Sequence, residues 1–446
     1  MQNQKLIKRI IIGLIVLVVI IGMYFGFTFY QASQNIRTQT STTNTNPNRT
    51  PFQTRVASGT DITIVNNPAN KEETLNPATS TPNTTPLVAP RLMQLWKEPV
   101  SGFDFIVKDL EVEIPVTTLT IDESSSTGRT RKVVLKDQLY VYLWDRSTGN
   151  IYHNLASSTV VERLSNYTLP RIEEATFVDP LTVSTRGLDA NNETIVTSYI
   201  KLYKETATST LFTFDKKDLS VNTEHISISK DTKKAFYFLK NTGQAFVANL
   251  DLSSTLKVLT TSLMEWIPQY VNRTTLAATT KPSAYFQGYL FFINSAGNQD
   301  NQYILGNKYG FTTLVSPDGT KVLYSEILND LLQTSIYDIR TKKSIPLSQS
   351  TITDKCTWST DSSKIYCAIS QQLPLAPYPD VWYQGNTKFS DNIWTINPQT
   401  GQFTITIPLQ DQVPQPIDAY NMKVSSNGKY LIFQDKYTLT LWKYSL

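Results

Sequence analysis

Three regimes of hydrophobic and polar positions follow one another along the chain. From Ile10 to Tyr30 the residues IIIGLIVLVVIIGMYFGFTFY carry no charge, and at a 1.5 Å rise per residue such a helix crosses a hydrocarbon core of roughly 30 Å. Lys5, Lys8 and Arg9 precede the run and the next basic residue is Arg37. The positive-inside tendency therefore predicts a cytoplasmic segment 1–9, a transmembrane helix 10–30, and an extracytoplasmic remainder. A cleaved signal peptide is the rival reading, but its apolar region normally runs about 7 to 15 residues and ends in small side chains. This run is longer and passes into Phe27, Phe29 and Tyr30, so a single-pass cell-membrane anchor is the expectation.

The second regime, residues 31–90, is rich in Thr, Asn, Ser and Pro, as in TQTSTTNTNPNRTP and LNPATSTPNTTP. With few large apolar residues it cannot repay its ordering entropy. It reads as a flexible tether with an end-to-end distance on the order of 40 Å. Only DITIV, at residues 61–65, alternates as a short strand does, and disorder is expected there too.

The third regime, residues 91–446, is a repeat in which a short strand leads to Ser-x-Asp, a tight turn, a Lys and an apolar strand. The copies are HISISKDTKKAFYFLK from His225, FTTLVSPDGTKVLYSE from Phe311, KCTWSTDSSKIYCAIS from Lys355 and MKVSSNGKYLIFQD from Met422. Ser and Asp side chains can bond the turn's own backbone, and Gly319 and Gly428 supply positive φ. Ser-to-Lys spacing is the same in the first three copies and one shorter from Ser425 to Lys429, which reads as a deletion inside the turn.

Ser316 and Ser359 stand 43 residues apart, a period that suits a four-stranded propeller blade. Eroded copies are expected at Asn272 and Arg273 and at Asp189 in LDANNETIVTSY. An insertion of about 20 residues falls at Gln371–Ser390 and joins the second and third strands of its blade. Segments such as TSIYDIRTKKSIPLS and DNIWTINPQTGQFTITIPL supply the outer strand pairs. Inner strands near Phe103, Ile172, Ile226, Pro268, Phe311, Lys355 and Met422 predict an all-β propeller of about seven four-stranded blades. The last blade lacks a strand after LTLWKYS, and Leu92–Trp96 is expected to fill it and close the ring. Residues 106–136 read as an irregular insertion in the first blade.

These repeats, chiefly SPDGTKVLYS at Ser316–Ser325, resemble those of TolB-like and WD-type propellers of bacterial envelope proteins. The whole arrangement looks like uncharacterised membrane-anchored bacterial propellers. Blade-turn motifs specify fold and not ligand, so the resemblance implies no catalytic residue, and the TolB role of linking envelope proteins is analogy alone. The Trp-Asp signatures at strand ends are missing.

Composition agrees with an all-β core: aromatic residues make up 11% of the chain, with 23 Tyr, and charged residues only 17%. Net charge is +4, and the scattered Lys and Arg form no stripe for a nucleic-acid partner. Cys356 and Cys367 are expected to face each other across one repeat turn, which permits a disulfide; two free buried thiols are the alternative. His153 and His225 are the only histidines, and GxSxG, HExxH and GxxxxGK[ST] motifs are missing, so no catalytic residue, metal or cofactor is indicated. Glu173 and Glu174 are neighbours on a strand and point to opposite faces. The sequons at Asn48, Asn83, Asn166, Asn192 and Asn272 would matter only in a eukaryotic secretory pathway.

The insertion is the sharpest site candidate. Tyr378, Asp380, Trp382, Tyr383 and Lys388 are placed to line one mouth of the axial channel, where aromatics stack on a sugar or peptide. The competing reading folds Trp382 and Tyr383 back as a lid. Anchor, tether and blades together lead to a noncatalytic module for a protein or cell-wall ligand. A propeller hydrolase or lyase acting on glycans or peptides, and a sensor or accessory domain for a partner enzyme, are the alternatives.

Overall fold

The computed structural model describes residues 91–115 and 130–446, apart from residues 159, 167, 190, 192, 193, 220–222, 241, 252 and 298–300. The expected membrane helix 10–30 and tether 31–90 lie outside these residues. Among the described residues no helix is long and apolar enough to cross a membrane.

The strands form seven antiparallel sheets of four. The inner strands of blades 1 to 7 are Val100–Pro115, Ile172–Asp179, Thr223–Ser229, Trp266–Tyr270, Thr312–Val315, Cys356–Trp358 and Ala419–Val424. In blades 1 to 6 the strands run outward in chain order. Blade 7 takes its outermost strand from the other end of the chain, with Leu92 opposite Tyr444 and Met93 opposite Lys443.

Seven buried clusters, one between each pair of neighbouring sheets, hold the ring together. Trp144 meets Phe177 between blades 1 and 2, and Val178 meets Tyr237 between blades 2 and 3. Phe238 stacks on Trp266, ring centroids 5.6 Å apart, between blades 3 and 4. Leu290 with Phe311, Leu323 with Ile365, and Ile393 with Phe433 continue the series. Ile432 against Phe103 closes it from blade 7 to blade 1. The second strands of the blades, such as Lys321–Leu328 and Ile365–Ser370, therefore carry continuous buried runs, because both faces of a sheet are covered, one by each neighbour. Where blades 1 and 2 meet, the inner strands come so close that a Cβ on Gly102 would fall 1.7 Å from the carbonyl oxygen of Ala175.

The repeat turns show what the Ser-x-Asp motif does. Ser316 Oγ reaches Asp318 Oδ1 at 2.5 Å and accepts from the Lys321 N–H at 3.0 Å, while the Gly319 N–H returns to Ser316 O at 2.8 Å. Ser359 repeats the set with Asp361 and Lys364. In blade 7 the turn closes from Ser425 to Tyr430, whose N–H donates to Ser425 Oγ at 2.9 Å. It is therefore as long as the others, and the expected deletion is absent: Lys429 sits one place early in an unshortened turn.

Two further expectations are corrected. Asp189 belongs to the hairpin between the second and third strands of blade 2, Thr182–Leu188 and Ile195–Tyr203, where its carboxylate accepts the Thr194 N–H at 3.3 Å. Asx chemistry serves any hairpin, so composition alone misplaced the copy by one turn. Residues 106–115 and 130–136 are a regular ladder and not an irregular insertion. The first two strands of blade 1 keep pairing through Pro115 opposite Thr130, with one register shift between Lys108 and Leu110.

Candidate functional site

Inner strands begin, and second-to-third strand loops lie, on one face of the ring; the repeat turns lie on the other. Arg91 and Leu446 also sit on the turn face: Arg91 O accepts from the Ser445 N–H, and the Leu446 N–H donates to Lys429 O at 2.8 Å. The insertion occupies the opposite face and reaches across several blades. Asp380 Oδ2 accepts the Ala284 N–H of blade 4 at 2.6 Å. From blade 7, Lys436 Nζ donates to Trp382 O at 2.7 Å and the Tyr437 hydroxyl to Gly385 O at 3.3 Å. Leu332 and Ile352 pack with Tyr378, Trp382 and Phe389 in a core of their own beneath it.

A buried ionic centre pins this lid. Lys355, the last residue of the 3-10 turn Thr353–Lys355, is 0% exposed and donates to Asp391 Oδ2 at 2.7 Å and to Asp418 Oδ1. Asp418 also accepts from Trp382 Nε1, at 3.2 and 3.1 Å to its two oxygens, and from the Phe389 N–H at 3.1 Å. Each partner opens a blade strand or the lid, so one ammonium ties blades 6 and 7 to the insertion. Desolvation outweighs the attraction of Lys355 at Asp391 and pushes its carboxyl up to about 6. The rings of Phe389 and Trp382 flank the cation at 4.8 and 5.6 Å, which adds cation–π attraction.

Around the mouth the carboxylates are already engaged. Glu173 pairs with Arg146 of blade 1, and Glu174 with Arg186 Nη1 at 2.6 Å, so the two neighbours do turn to different partners. Glu265 pairs with Lys281 at 3.0 Å. His225 stands between these groups and is held near neutral form, its pKa lowered to about 4 by desolvation and by Arg186. Asp354 is solvent-exposed but crowded by protein; desolvation raises its pKa, against the hydrogen bond it accepts from the Tyr383 hydroxyl at 3.0 Å. Tyr383 in turn is held well above the usual phenol range by desolvation and by the Asp354 charge.

Deeper in the channel, Lys423 Nζ donates to Phe103 O at 2.6 Å, over the Phe103 ring. Desolvation lowers its pKa to about 8, and the neighbouring Lys230–Asp104 ion pair acts on it with both signs. Among the described residues no group of three or more His, Cys, Asp or Glu is arranged to hold a metal ion.

The structure thus separates the five insertion residues. Tyr378, 1% exposed, bonds Pro374 O, and Trp382, 3% exposed, lies on Asp418; both are the inside of the lid. Tyr383 and Lys388 are exposed, Lys388 over the Tyr437 ring at 4.6 Å, and Asp380 is half-buried on Ala284. Cys356 and Cys367 form the disulfide, directly opposite in register with Cα atoms 4.1 Å apart. Sequence reasoning missed Lys355, Asp391 and Asp418. A single charged residue at the start of each of three strands was the only signal.

Seven closed sheets decide the architecture. The described residues form a seven-bladed β-propeller. No protein-family profile and no curated protein matches its sequence. Among solved structures it is similar to TolB from Acinetobacter baumannii, with 12% identity, a TM-score of 0.38, and 70% of this chain and 77% of that one covered. A putative TolB from Agrobacterium tumefaciens matches with 14% identity and a TM-score of 0.36, over 53% and 77% of the two chains. The oligogalacturonate lyase of Vibrio parahaemolyticus matches with 10% identity and a TM-score of 0.44, over 78% and 98%. Likeness at this level carries no activity across.

Proposed function

We propose that this chain is a membrane-anchored, extracytoplasmic propeller that binds a protein or cell-envelope ligand without transforming it. The anchor is the apolar segment 10–30, and the ligand is met on the insertion face, opposite the face at which Arg91 enters the ring. One observation carries the binding reading: the lid is welded to the ring by Lys355, Asp391 and Asp418, and the mouth carboxylates Glu173, Glu174 and Glu265 are neutralised by Arg146, Arg186 and Lys281. A general acid and base need free carboxyl groups of different pKa facing one cavity. A pinned, charge-compensated surface suits recognition.

A photo-crosslinking residue at Tyr383 or Lys388 of the chain in intact cells tests this. Repeated capture of one envelope protein or glycan is expected, and capture of nothing at either position would refute it. A second reading, a hydrolase or lyase for glycans or peptides, has one point in its favour, the raised carboxyl of Asp354 beside Tyr383. Turnover of a glycan or peptide that Asp354→Asn abolishes would replace the first reading with this one.

A further inference from the structure

In the outer part of blade 5 one strand-edge residue, Leu332, 6% exposed, has no main-chain partner on its outer side among the described residues. Its second and third strands, Lys321–Leu328 and Leu331–Asp338, are joined by Asn329 and Asp330, both at positive φ. That tight turn makes Leu328 and Leu331 a hydrogen-bonded pair. Successive residues of a strand point their N–H and C=O to alternate sides, so those of Leu332 and Thr334 point outward, toward the fourth strand. The fourth strand, Lys343–Pro346, reaches only Ser335, and the last bond across is Leu347 N–H to Thr334 O at 2.9 Å. There the chain turns away, with the Thr351 N–H on Thr334 Oγ1 at 2.8 Å. No described residue pairs with the outward N–H and C=O of Leu332.

This edge is one wall of a groove of about 660 Å³ between blades 5 and 6. The insertion supplies the other wall through Leu373, Pro374 and Leu375, and Trp394 lies between them. Leu331 and Leu375 stand on the two lips, 62% and 72% exposed. Among the described residues the side-chain amides of Gln349 and Gln371 line the groove without a hydrogen-bond partner, and Asp330 is the one charged side chain of the lining.

We propose that this groove takes an extended peptide of a partner protein, which pairs with Leu332 and continues the fourth strand of blade 5 where the chain itself leaves it. The proposal rests on the binding-module reading and names its ligand class. An unpaired edge attracts main-chain N–H and C=O groups, and pockets beside it choose alternate side chains. An aliphatic side chain fits between Leu331 and Leu375, and a neutral or basic residue sits beside Asp330, where an acidic one would be repelled. The two glutamine amides bond the far edge of the peptide. A glycan's hydroxyls donate and accept, but without the fixed N–H and C=O spacing that a strand edge matches.

The test is to pan the full chain, purified in detergent, with phage-displayed random linear dodecapeptides. Peptides with a recurrent aliphatic position are expected, and the best of them, made synthetically, slows exchange of the Leu332 amide by about tenfold or more. Leu331→Asp and Leu375→Asp, both at exposed positions, each weaken its binding by about tenfold or more, while Tyr285→Ser, at an exposed position outside the groove, leaves it unchanged. Failure to enrich peptides over the Leu331→Asp protein, enriched peptides indifferent to both Asp substitutions, or a glycan bound in their place would overturn the proposal. If cells then still yield a crosslinked partner at Tyr383, only the groove assignment fails; if they yield none, the binding reading fails with it.

Discussion

The indole Nε1 of Trp382 donates to both carboxylate oxygens of Asp418, at 3.2 and 3.1 Å, and Asp418 is bound on its other side by Lys355. The insertion is held by the same charge that joins blades 6 and 7. Trp382→Phe keeps an aromatic ring but removes the charge-assisted bond, which costs about 1.5–3 kcal/mol, and the smaller side chain adds a void to that cost. Asp418→Ala leaves the Lys355–Asp391 pair intact but takes the acceptor from the buried Trp382 Nε1 and Phe389 N–H, at about 1–3 kcal/mol for each donor left unsatisfied. Hydrogen exchange checks both: segment 371–390 gains exchange first in Trp382→Phe, while in Asp418→Ala blades 6 and 7 open with it.

His225 makes stability depend on pH. Its folded pKa of about 4 lies below the ordinary 6.5, chiefly through desolvation. Folding thus favours the neutral ring, the unfolded chain binds the extra proton, and stability is complete above about pH 6.5 and falls as pH drops toward 4. The loss approaches about 3 kcal/mol. Chemical denaturation at pH 7 and pH 4.5 would show wild type losing more than His225→Gln; equal losses would contradict the assignment.

Reduction of the Cys356–Cys367 bond opens a short loop within one hairpin. Chain entropy assigns such a loop about 2–3 kcal/mol. The unfolding free energy from urea denaturation is expected to fall by that amount in dithiothreitol, and that of a Cys356→Ala, Cys367→Ala double variant to be insensitive to it.

Gly102 is required by proximity and not by φ. A methyl there meets Ala175 O at 1.7 Å, and that atom is backbone. Gly102→Ala is expected to destabilise the ring by roughly 3 kcal/mol, and thermal unfolding followed by near-UV circular dichroism will register the loosened aromatic packing of Trp144 and Phe177.

The fold was legible because its signals are local. Ser316, Ser359 and Ser425 each direct a turn a few residues long, and the continuous apolar run after each turn specifies a strand buried on both faces. Ring closure by Leu92–Trp96 followed from counting strands, and the Cys356–Cys367 pairing from hairpin register. The errors also have local causes: Asp189 resembled a repeat turn because Asx bonding is common to hairpins, and Lys429 suggested a deletion because the residue preceding the strand differs there. The lid's chemistry was not legible. Lys355, Asp391 and Asp418 lie in separate sequence neighbourhoods, and only the packing of two blades makes them one centre. Tyr378 and Trp382 showed the opposite ambiguity, since an aromatic in a long loop has the same composition whether it faces a ligand or the loop's own core.

Because Leu92–Trp96 completes the blade that Leu441–Ser445 ends, synthesis and closure are separated in time. Arg91 and Ser445, which bond through Arg91 Nε, lie 354 residues apart. At about 5–20 residues per second the first strand waits roughly 20–70 s for its partner to leave the ribosome. Until then the nascent product is an arc with two raw edges, so a chain that stops before Ala419 would hold six well-formed blades and still be a substrate for proteases.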